Sequence, residues 1–197
     1  MRPADLLPEK NRIRSACMEA RRALSPSVKA QRDSVICRTL CAAASFRYAD
    51  TVLLYAPLSH EINIDPVAEA ALACGKQICY PRCETRDRTM RFHYVSDLSE
   101  LTPGAYRIPE PPESNPVFDP SAARSAVCIV PALAYGRDGH RIGYGQGYYD
   151  RYLRTFCGAR IGVVYRDALF ETLPHGKYDL TVHAVITEKG VYCARAK

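Results

Sequence analysis

The residues best suited to chemistry lie close together, between Arg141 and Arg151. They read Arg-Ile-Gly-Tyr-Gly-Gln-Gly-Tyr-Tyr-Asp-Arg. Alternating glycines let a backbone approach a phosphate, and an arginine can hold phosphate oxygens through two parallel hydrogen bonds. Asp150 offers a hard oxygen ligand for the magnesium that accompanies a nucleoside triphosphate. The stretch predicts an anion-binding loop. It is neither a P-loop nor a strict dinucleotide fingerprint, and its glycine spacing is equally typical of a plain structural turn.

The elements around this glycine loop are of a kind that binds anions. The apolar, β-branched run 126–130 predicts a buried strand, which Pro131 should end. A helix can begin at Tyr148, and the free N–H groups and dipole at a helix start favour negative charge. Between strand and glycines we expect a polar loop with four candidate side chains: Arg137, Asp138, His140 and Arg141.

Two basic residues upstream share a helical face. Helical spacing over residues 9–24 places Lys10 and Arg14 one turn apart, so they project in the same direction. They could bind an anion or form an ordinary solvated basic face. Ser25 followed by a proline is a typical helix start, and it predicts a second helix to about residue 44.

The next segments predict a βαβ unit. Apolar runs at 51–56 and 77–80, each followed by a proline, are typical of buried strands, and Asp65 should begin the helix between them. Such a unit implies parallel strands, and ligands gather at the carboxyl ends of parallel strands. Glu61, the residues after Pro81 and the glycine loop all follow such ends, so we expect them to converge.

The whole chain, residues 1–197, is expected to form a single α/β domain. Its architecture should be a three-layer α/β/α sandwich, Rossmann-like, with a mostly parallel central sheet and helices on both faces. The proline-rich segment 101–120 should be irregular and could cover a cleft. Further strands are expected at 90–95, 160–165, 182–187 and 191–193.

Bulk properties narrow the function classes. No apolar run approaches the roughly 18 residues of a membrane span, and no apolar signal core follows Met1, so we expect a cytoplasmic protein. The net charge of +6 suggests an anionic partner. Because the basic residues are scattered, a nucleotide or anionic metabolite is favoured over nucleic acid. The nine cysteines include no C-x2-C pair, and we expect free thiols rather than disulfides or zinc ligands.

The glycine stretch resembles the signature of the 5-formyltetrahydrofolate cyclo-ligase family. The similarity extends across nearly the whole chain, including the spacing of Lys10 and Arg14, the glutamate at Glu61 and the tail Ile186-Thr187-Glu188. It implies an enzyme that converts 5-formyltetrahydrofolate and ATP to 5,10-methenyltetrahydrofolate, ADP and phosphate, with Mg²⁺. Its partners would be these small molecules, with neither nucleic acid nor membrane, and we expect a monomer.

The resemblance also implies a role for each candidate residue. Lys10 and Arg141 would be the catalytic cations, and Glu61 would hydrogen-bond the pterin or formyl region. Asp150 would hold the metal, with His183 as a second candidate. The ATP-binding set would be Lys10, Arg14, Arg141, Gly143, Tyr144, Gly145, Gln146, Gly147, Tyr148 and Tyr149. The folate-binding set would be Ala56, Glu61, Tyr106, Tyr148 and Tyr149.

Two positions depart from the family pattern. Gln146 stands where some relatives carry lysine, which removes one possible phosphate contact. His183 stands where the family has a second aspartate, and imidazole is a poorer magnesium ligand than carboxylate. Either Asp150 and the phosphates suffice, Asp179 substitutes, or the metal site is weakened. Two alternatives therefore stay open: a folate- or nucleotide-binding relative that has lost catalysis, and a basic RNA-binding domain, which only the net charge favours.

Overall fold

A computed structural model describes residues 3–194, with the side chains of residues 3–5 and 122 left aside. The helices are α1 (Pro3–Arg22), α2 (Pro26–Ala42), α3 (Ala44–Arg47), α4 (Asp65–Ala73) and α5 (Tyr148–Tyr152). The strands are β1 (Thr51–Leu53), β2 (Gln77–Glu84), β3 (Thr89–Val95), β4 (Thr102–Pro103), β5 (Pro109–Glu110), β6 (Ala126–Pro131), β7 (Ala134–Gly136), β8 (Arg141–Ile142), β9 (Ala159–Val163), β10 (Leu169–Phe170), β11 (Ala184–Thr187) and β12 (Gly190–Cys193).

A seven-stranded sheet forms the centre, in the order β12-β11-β9-β6-β1-β2-β3. The strands from β11 to β2 pair in parallel, whereas the edge strands β12 and β3 pair antiparallel. Parallel strands need crossover connections and cover on both faces, because both of their faces are apolar. The predicted α/β class with a mostly parallel sheet is confirmed.

Side chains along β6 alternate between two cores. Val127 and Ile129 pack on the face covered by α2, α3 and α4. Cys128 and Val130 pack on the opposite face, with α1, α5 and a small sheet of strands β10-β7-β8. This alternation follows from the two-residue period of a strand. The small sheet and α1 are the part of the fold that positions the glycine loop.

Several predicted elements are confirmed, with shifted ends. Ser25 caps α2 by accepting a hydrogen bond from the Val28 N–H, and α4 begins at Asp65. The segment 101–120 is largely irregular, with only the short pair β4–β5 and single turns. All nine cysteines are free, and burial raises the pKa of the Cys37 thiol to about 12. No described helix is both long and apolar enough to cross a bilayer.

Two local predictions are wrong. Pro81 does not end its strand, because β2 continues to Glu84 and pairs Pro81 with Phe92 of β3. Strand β1 pairs with β2 only as far as Cys79, so a proline beyond that point removes no hydrogen bond to β1. The polar loop expected after Pro131 is instead the β-hairpin β7–β8, which also pairs with β10.

Candidate functional site

One face of α1 carries three cationic side chains that contact other parts of the protein, including the glycine loop. Lys10, Arg14, Cys17 and Arg21 lie at helical positions i, i+4, i+7 and i+11, so they share one face. Arg21 is buried and donates hydrogen bonds to the carbonyl oxygens of Ala132 and Leu133, just after β6. This contact fixes α1 across the carboxyl end of the central strand. The face is therefore turned toward the protein and is not a solvated basic surface.

Three segments meet at this end of the sheet: α1, the loop that carries Glu61 and the glycine loop. The residues after Pro81, which we expected to join them, instead continue β2 to Glu84. Arg14 Nε on α1 donates to the carbonyl oxygen of Gly143, at 2.8 Å. The Tyr144 hydroxyl of the glycine loop donates to Glu61 Oε1, at 3.0 Å. Since Glu61 follows β1, these two contacts join α1, the loop after β1 and the glycine loop. Arg14 and Tyr144 also line a pocket at this place, which we call the cleft.

The first side of the cleft, which we call the cationic side, comprises Lys10, Arg14, Arg141, Asp150 and Asp179. Lys10 Nζ and Asp179 Oδ2 form an ion pair at 2.5 Å. Arg141 donates from one nitrogen to Asp150 Oδ1, at 2.7 Å, and from another to the Leu180 carbonyl, at 2.9 Å. The Arg141 side chain is only 6% exposed. Each of these two pairs joins residues from different elements and is largely shielded from water.

The pKa of Asp179 reports this environment. Burial by itself would raise the pKa of the carboxyl group. Hydrogen bonds from the Lys10 ammonium and the Gly176 N–H, with the nearby charges of Lys10 and Arg141, outweigh burial and lower that pKa. Burial also lowers the pKa of the Arg14 guanidinium, partly offset by Asp179. Arginine nevertheless remains cationic at neutral pH.

The glycine loop needs its glycines at two positions. Gly145 and Gly147 have φ values of +93° and +74°, a region that residues with a Cβ rarely adopt. A Cβ on Gly145 would also lie 3.4 Å from the Arg14 guanidinium. The helix that follows, α5, has only five residues. Its dipole is therefore small. We expect the cations of the cationic side, rather than the start of α5, to provide most of the attraction for an anion.

The second side of the cleft, which we call the carboxylate side, is built around Glu61. Its side chain is buried, and it accepts hydrogen bonds from the Leu58 N–H, at 2.9 Å, and from the Tyr144 hydroxyl. His60 Nε2 lies 2.7 Å from that same hydroxyl. Within residues 3–194, Glu61 forms no ion pair. Burial and the neighbouring Glu61 raise the pKa of Tyr144, and burial lowers the pKa of His60.

Two of the candidate aromatic side chains contact each other just after the glycine loop. The hydroxyls of Tyr106 and Tyr148 lie 3.0 Å apart, and their rings meet edge to face. Tyr106 has a left-handed backbone, with φ of +57°. The Tyr149 hydroxyl is buried without a hydrogen-bond partner, and burial raises its pKa. Ala56, just after β1, is buried. The segment around Tyr106 thus covers one side of the glycine loop.

His183 is engaged elsewhere. Its Nδ1 accepts a hydrogen bond from the Arg160 N–H, and its Nε2 lies 3.0 Å from the Arg160 guanidinium. Burial and the adjacent Arg160 lower the pKa of His183. Asp179, four residues earlier, is the residue that the structure brings to Lys10. Both ring nitrogens of His183 therefore face Arg160, whereas Asp150 and Asp179 both lie near Arg141.

The sequence profile of the 5-formyltetrahydrofolate cyclo-ligase family matches residues 7–188. The chain belongs to this family. It is similar to the mitochondrial cyclo-ligase of Arabidopsis thaliana, at 25% identity over 93% of this chain and 75% of that protein. It is also similar to the Escherichia coli K12 cyclo-ligase, at 26% identity over 88% of this chain and 97% of the relative.

Solved structures agree with that membership. The 5,10-methenyltetrahydrofolate synthetase of Aquifex aeolicus superposes with a TM-score of 0.83 at 28% identity, covering 95% of this chain and 94% of that one. The synthetase of Mycoplasma pneumoniae shares the fold, with a TM-score of 0.74 at 23% identity over 91% and 99% of the two chains. This cyclo-ligase family member is accordingly an enzyme with the α/β fold of those synthetases.

Sequence reasoning missed two features of this family member's site. It placed Tyr144 with the nucleotide, whereas the structure directs its hydroxyl to Glu61. It also gave no role to His60, although the ring contacts Tyr144. The adjacency of His60 to Glu61 in the chain was the only signal for the second feature. Nothing local indicated the first, because Tyr144 and Glu61 lie 83 positions apart.

Proposed function

We propose that this chain catalyses the ATP- and Mg²⁺-dependent conversion of 5-formyltetrahydrofolate to 5,10-methenyltetrahydrofolate, releasing ADP and phosphate. The observation that carries the proposal is the cleft itself. Its cationic side gathers Lys10, Arg14 and Arg141, and its carboxylate side presents a buried glutamate. The names of the relatives point to the same reaction.

The chemistry suits a site that binds and orients rather than one with a protein nucleophile. The formyl group on N5 is amide-like, so its carbon is a poor electrophile and its oxygen a poor leaving group. Transfer of the γ-phosphoryl group of ATP to that oxygen makes it a good leaving group. N10 then attacks the formyl carbon and loses its proton to solvent or to the departing phosphate, and the bond from carbon to the phosphate oxygen breaks as the ring closes. The protein must align the two substrates and neutralise the charge of the transferred group.

The cations of the cleft are held ready for phosphate oxygens. Each contacts a protein oxygen: Lys10 contacts Asp179, Arg14 contacts the Gly143 carbonyl, and Arg141 contacts Asp150. Phosphate oxygens would compete for these donors, and Lys10 and Arg141 would neutralise charge on the transferred phosphoryl group. Gly143, Gly145, Gln146 and Gly147 would bring the backbone close to the nucleotide. This arrangement lets the protein keep buried cations satisfied before ATP binds.

The residues present fit Mg²⁺ when Asp150 is joined by Asp179. Asp150 Oδ1 is bound by Arg141 and Asp179 Oδ2 by Lys10. Within the described part of the chain, Asp150 Oδ2 and Asp179 Oδ1 accept no hydrogen bond. Hard carboxylate oxygens of this kind suit Mg²⁺, which would supply charge neutralisation to the triphosphate. Because both ring nitrogens of His183 face the cationic Arg160, we assign the second metal-ligand position to Asp179 in place of His183.

The carboxylate side fits the pterin. A buried carboxylate without a cationic partner favours ligand N–H donors, and a pterin offers adjacent amino and ring N–H groups. Tyr144 belongs to this side, since its hydroxyl holds Glu61. The rings of Tyr106, Tyr148 and Tyr149 and the small side chain of Ala56 would line the folate. The unpartnered Tyr149 hydroxyl would find a hydrogen-bond partner on the ligand.

The direct test mixes the purified protein with 5-formyltetrahydrofolate, ATP and Mg²⁺ and follows the near-ultraviolet absorbance of the methenyl product. We expect product only when all three are present, and none when a non-hydrolysable ATP analogue replaces ATP. Binding of both substrates without product would instead identify a relative that has lost catalysis. If neither substrate binds, the proposed function is wrong, and RNA binding that weakens steeply with salt would then identify the basic RNA-binding alternative.

A further inference from the structure

A second group of chemically capable side chains lies outside the cleft, at the turn of the β7–β8 hairpin. Asp138, His140 and His175 each offer a ligand atom, and these atoms all lie within 4.8 Å of one another. Asp138 and His140 come from the hairpin, whereas His175 comes from the segment between β10 and β11. The side chains of Asp138 and His140 are mostly buried, at 14% and 17% exposure, and His175 is exposed.

One of these atoms lacks a hydrogen-bond partner. His140 Nδ1 is buried and makes no hydrogen bond in the described structure. Asp138 Oδ2 lies 3.1 Å from it, close enough for an ion pair but outside hydrogen-bond geometry. Buried polar atoms without partners are uncommon in folded proteins and call for an explanation. A cation between the nitrogen and the carboxylate would satisfy both atoms.

The turn is fixed in place by its backbone. Gly139 has φ of +86°, and a Cβ there would lie 2.6 Å from the carbonyl oxygen of Val182. The Gly139 carbonyl accepts a hydrogen bond from the Val182 N–H, and Asp138 Oδ1 accepts one from the His140 N–H. Two of the three ligands are therefore held by a rigid hairpin, which reduces the entropy lost on binding an ion.

The ligand types decide which ion would bind. Two imidazoles and one carboxylate are typical of borderline transition-metal ions, whereas Mg²⁺ and Ca²⁺ prefer oxygen alone. A zinc site with three protein ligands takes water as the fourth. We propose that Asp138, His140 and His175 form a binding site for a zinc-class divalent transition metal, separate from the Mg²⁺ site of the cleft.

Metal binding requires one movement. The rings of His140 and His175 are stacked, with centroids 3.6 Å apart and planes 7° from parallel. Two parallel rings cannot both direct a nitrogen at one ion about 2.0 Å away. The exposed His175 ring must therefore tilt out of the stack, while His140 and Asp138 stay in place. This makes His175 the ligand to remove, because its loss should not disturb folding.

The site would join two segments of the cleft. His140 directly precedes Arg141, and His175 lies four residues before Asp179. A metal bound by both histidines would connect the β7–β8 hairpin, which leads into Arg141, to the segment that carries Asp179. It would not itself touch either substrate. Its expected effect is to hold the two segments together, and so to stabilise the folded chain.

The test uses the untagged full-length chain under reducing conditions, titrated with Co²⁺ as a spectroscopic probe in excess Mg²⁺. We expect one Co²⁺ per chain with visible bands of nitrogen and oxygen ligation, displaced by Zn²⁺. His175→Ala should weaken affinity by at least about tenfold, since loss of even an outer-shell partner has that effect. Asp138→Asn should act in the same direction. His60→Gln is the matched control, because it removes a histidine outside the cluster and should leave the spectrum unchanged.

Thermal unfolding gives a second measurement that needs no folate or ATP. Zn²⁺ should raise the melting temperature of the wild-type chain and should raise that of His175→Ala much less. Absence of Co²⁺ binding, an intense thiolate charge-transfer band, or a spectrum unaffected by His175→Ala would overturn the proposal. Since these measurements are independent of methenyl product, their failure leaves the proposed enzyme activity standing.

Discussion

The two sides of the cleft satisfy their charges in different ways. On the cationic side, Lys10 and Arg141 each pair with a carboxylate from a distant segment. On the carboxylate side, Glu61 is buried with neutral partners, a backbone N–H and the Tyr144 hydroxyl. A buried charge without a counterion is costly unless well hydrogen-bonded. The cationic side is thus balanced before ligands arrive, whereas the carboxylate side is suited to ligand N–H donors.

This contrast implies different responses to mutation. Removing a cation from the first side leaves a carboxylate without its partner and removes a phosphate contact. Changing Glu61 removes the carboxylate that we propose binds the folate and leaves the cations of the first side in place. We therefore expect substitutions on the cationic side to change mainly the kinetic constants for ATP. Substitutions on the carboxylate side should change mainly those for the folate.

The largest effect is expected for Arg141→Ala. The change removes a buried guanidinium from Asp150 and from the phosphates, so kcat/KM for ATP should fall about 10²- to 10³-fold, as for loss of a preorganised charge donor. Steady-state kinetics with ATP varied measure it, and folate binding verifies folding. Arg32→Ala is the control, because that arginine pairs with Asp167 and Glu188 outside the cleft. An unchanged ATP dependence would remove Arg141 from the phosphate site.

Glu61→Gln should act on the other substrate. Hydrogen bonds to a charged group contribute about 1.5–3 kcal/mol, so kcat/KM for 5-formyltetrahydrofolate should fall about ten- to a hundredfold, with the KM for ATP changed little. Initial rates with each substrate varied in turn measure both quantities. The opposite pattern, with ATP affected and folate not, would reverse the division of the cleft.

Tyr144→Phe tests which side Tyr144 serves. The variant lacks the hydroxyl that donates to Glu61 Oε1. The folate therefore no longer has to displace that hydroxyl to reach the carboxylate. A net hydrogen bond of about 0.5–1.5 kcal/mol predicts that the KM for folate falls about two- to tenfold, while the unliganded chain melts at a lower temperature. A change confined to the KM for ATP would return Tyr144 to the nucleotide-binding set.

Asp179→Asn should alter the response to acid. Because the folded pKa of Asp179 is lowered, its pairing stabilises the fold fully above the unfolded pKa of about 3.9 and ceases to do so as pH falls through the folded pKa. Denaturant unfolding between pH 3 and pH 7 should show a smaller loss of stability on acidification in the variant than in wild type, by at most about 1 kcal/mol. Identical slopes would mean that the carboxylate is not paired in solution.

The smallest effect is expected from adding a charge. Gln146 is exposed in the glycine loop and carries no charge. Gln146→Lys should lower the KM for ATP about two- to fivefold, in line with an exposed ion pair of about 0.2–1 kcal/mol. The gain should shrink as ionic strength rises. Gln146→Met, of similar length but uncharged, is the matched control and should not reproduce the gain.

Local patterns in the sequence were enough for much of the fold. The cap at Ser25 and the apolar runs of β1 and β6 predict their elements because helix caps and strand periods involve neighbouring residues. The hairpin β7–β8 was not predicted, since its strands are short and β7 pairs with β10, more than thirty positions away. The continuation of β2 through Pro81 likewise depended on its partner β3.

The sequence by itself determined the chemical parts of the site: the glycine spacing, the one-turn spacing of Lys10 and Arg14, and the family to which they belong. Only the tertiary structure decided how these parts pair. Lys10 meets Asp179 across 169 positions of the chain, and Tyr144 meets Glu61 across 83. Spacing rules extend over a turn of helix or a pair of strand residues, whereas contacts at such separations depend on the strand order of the sheet and on the placement of α1 across it.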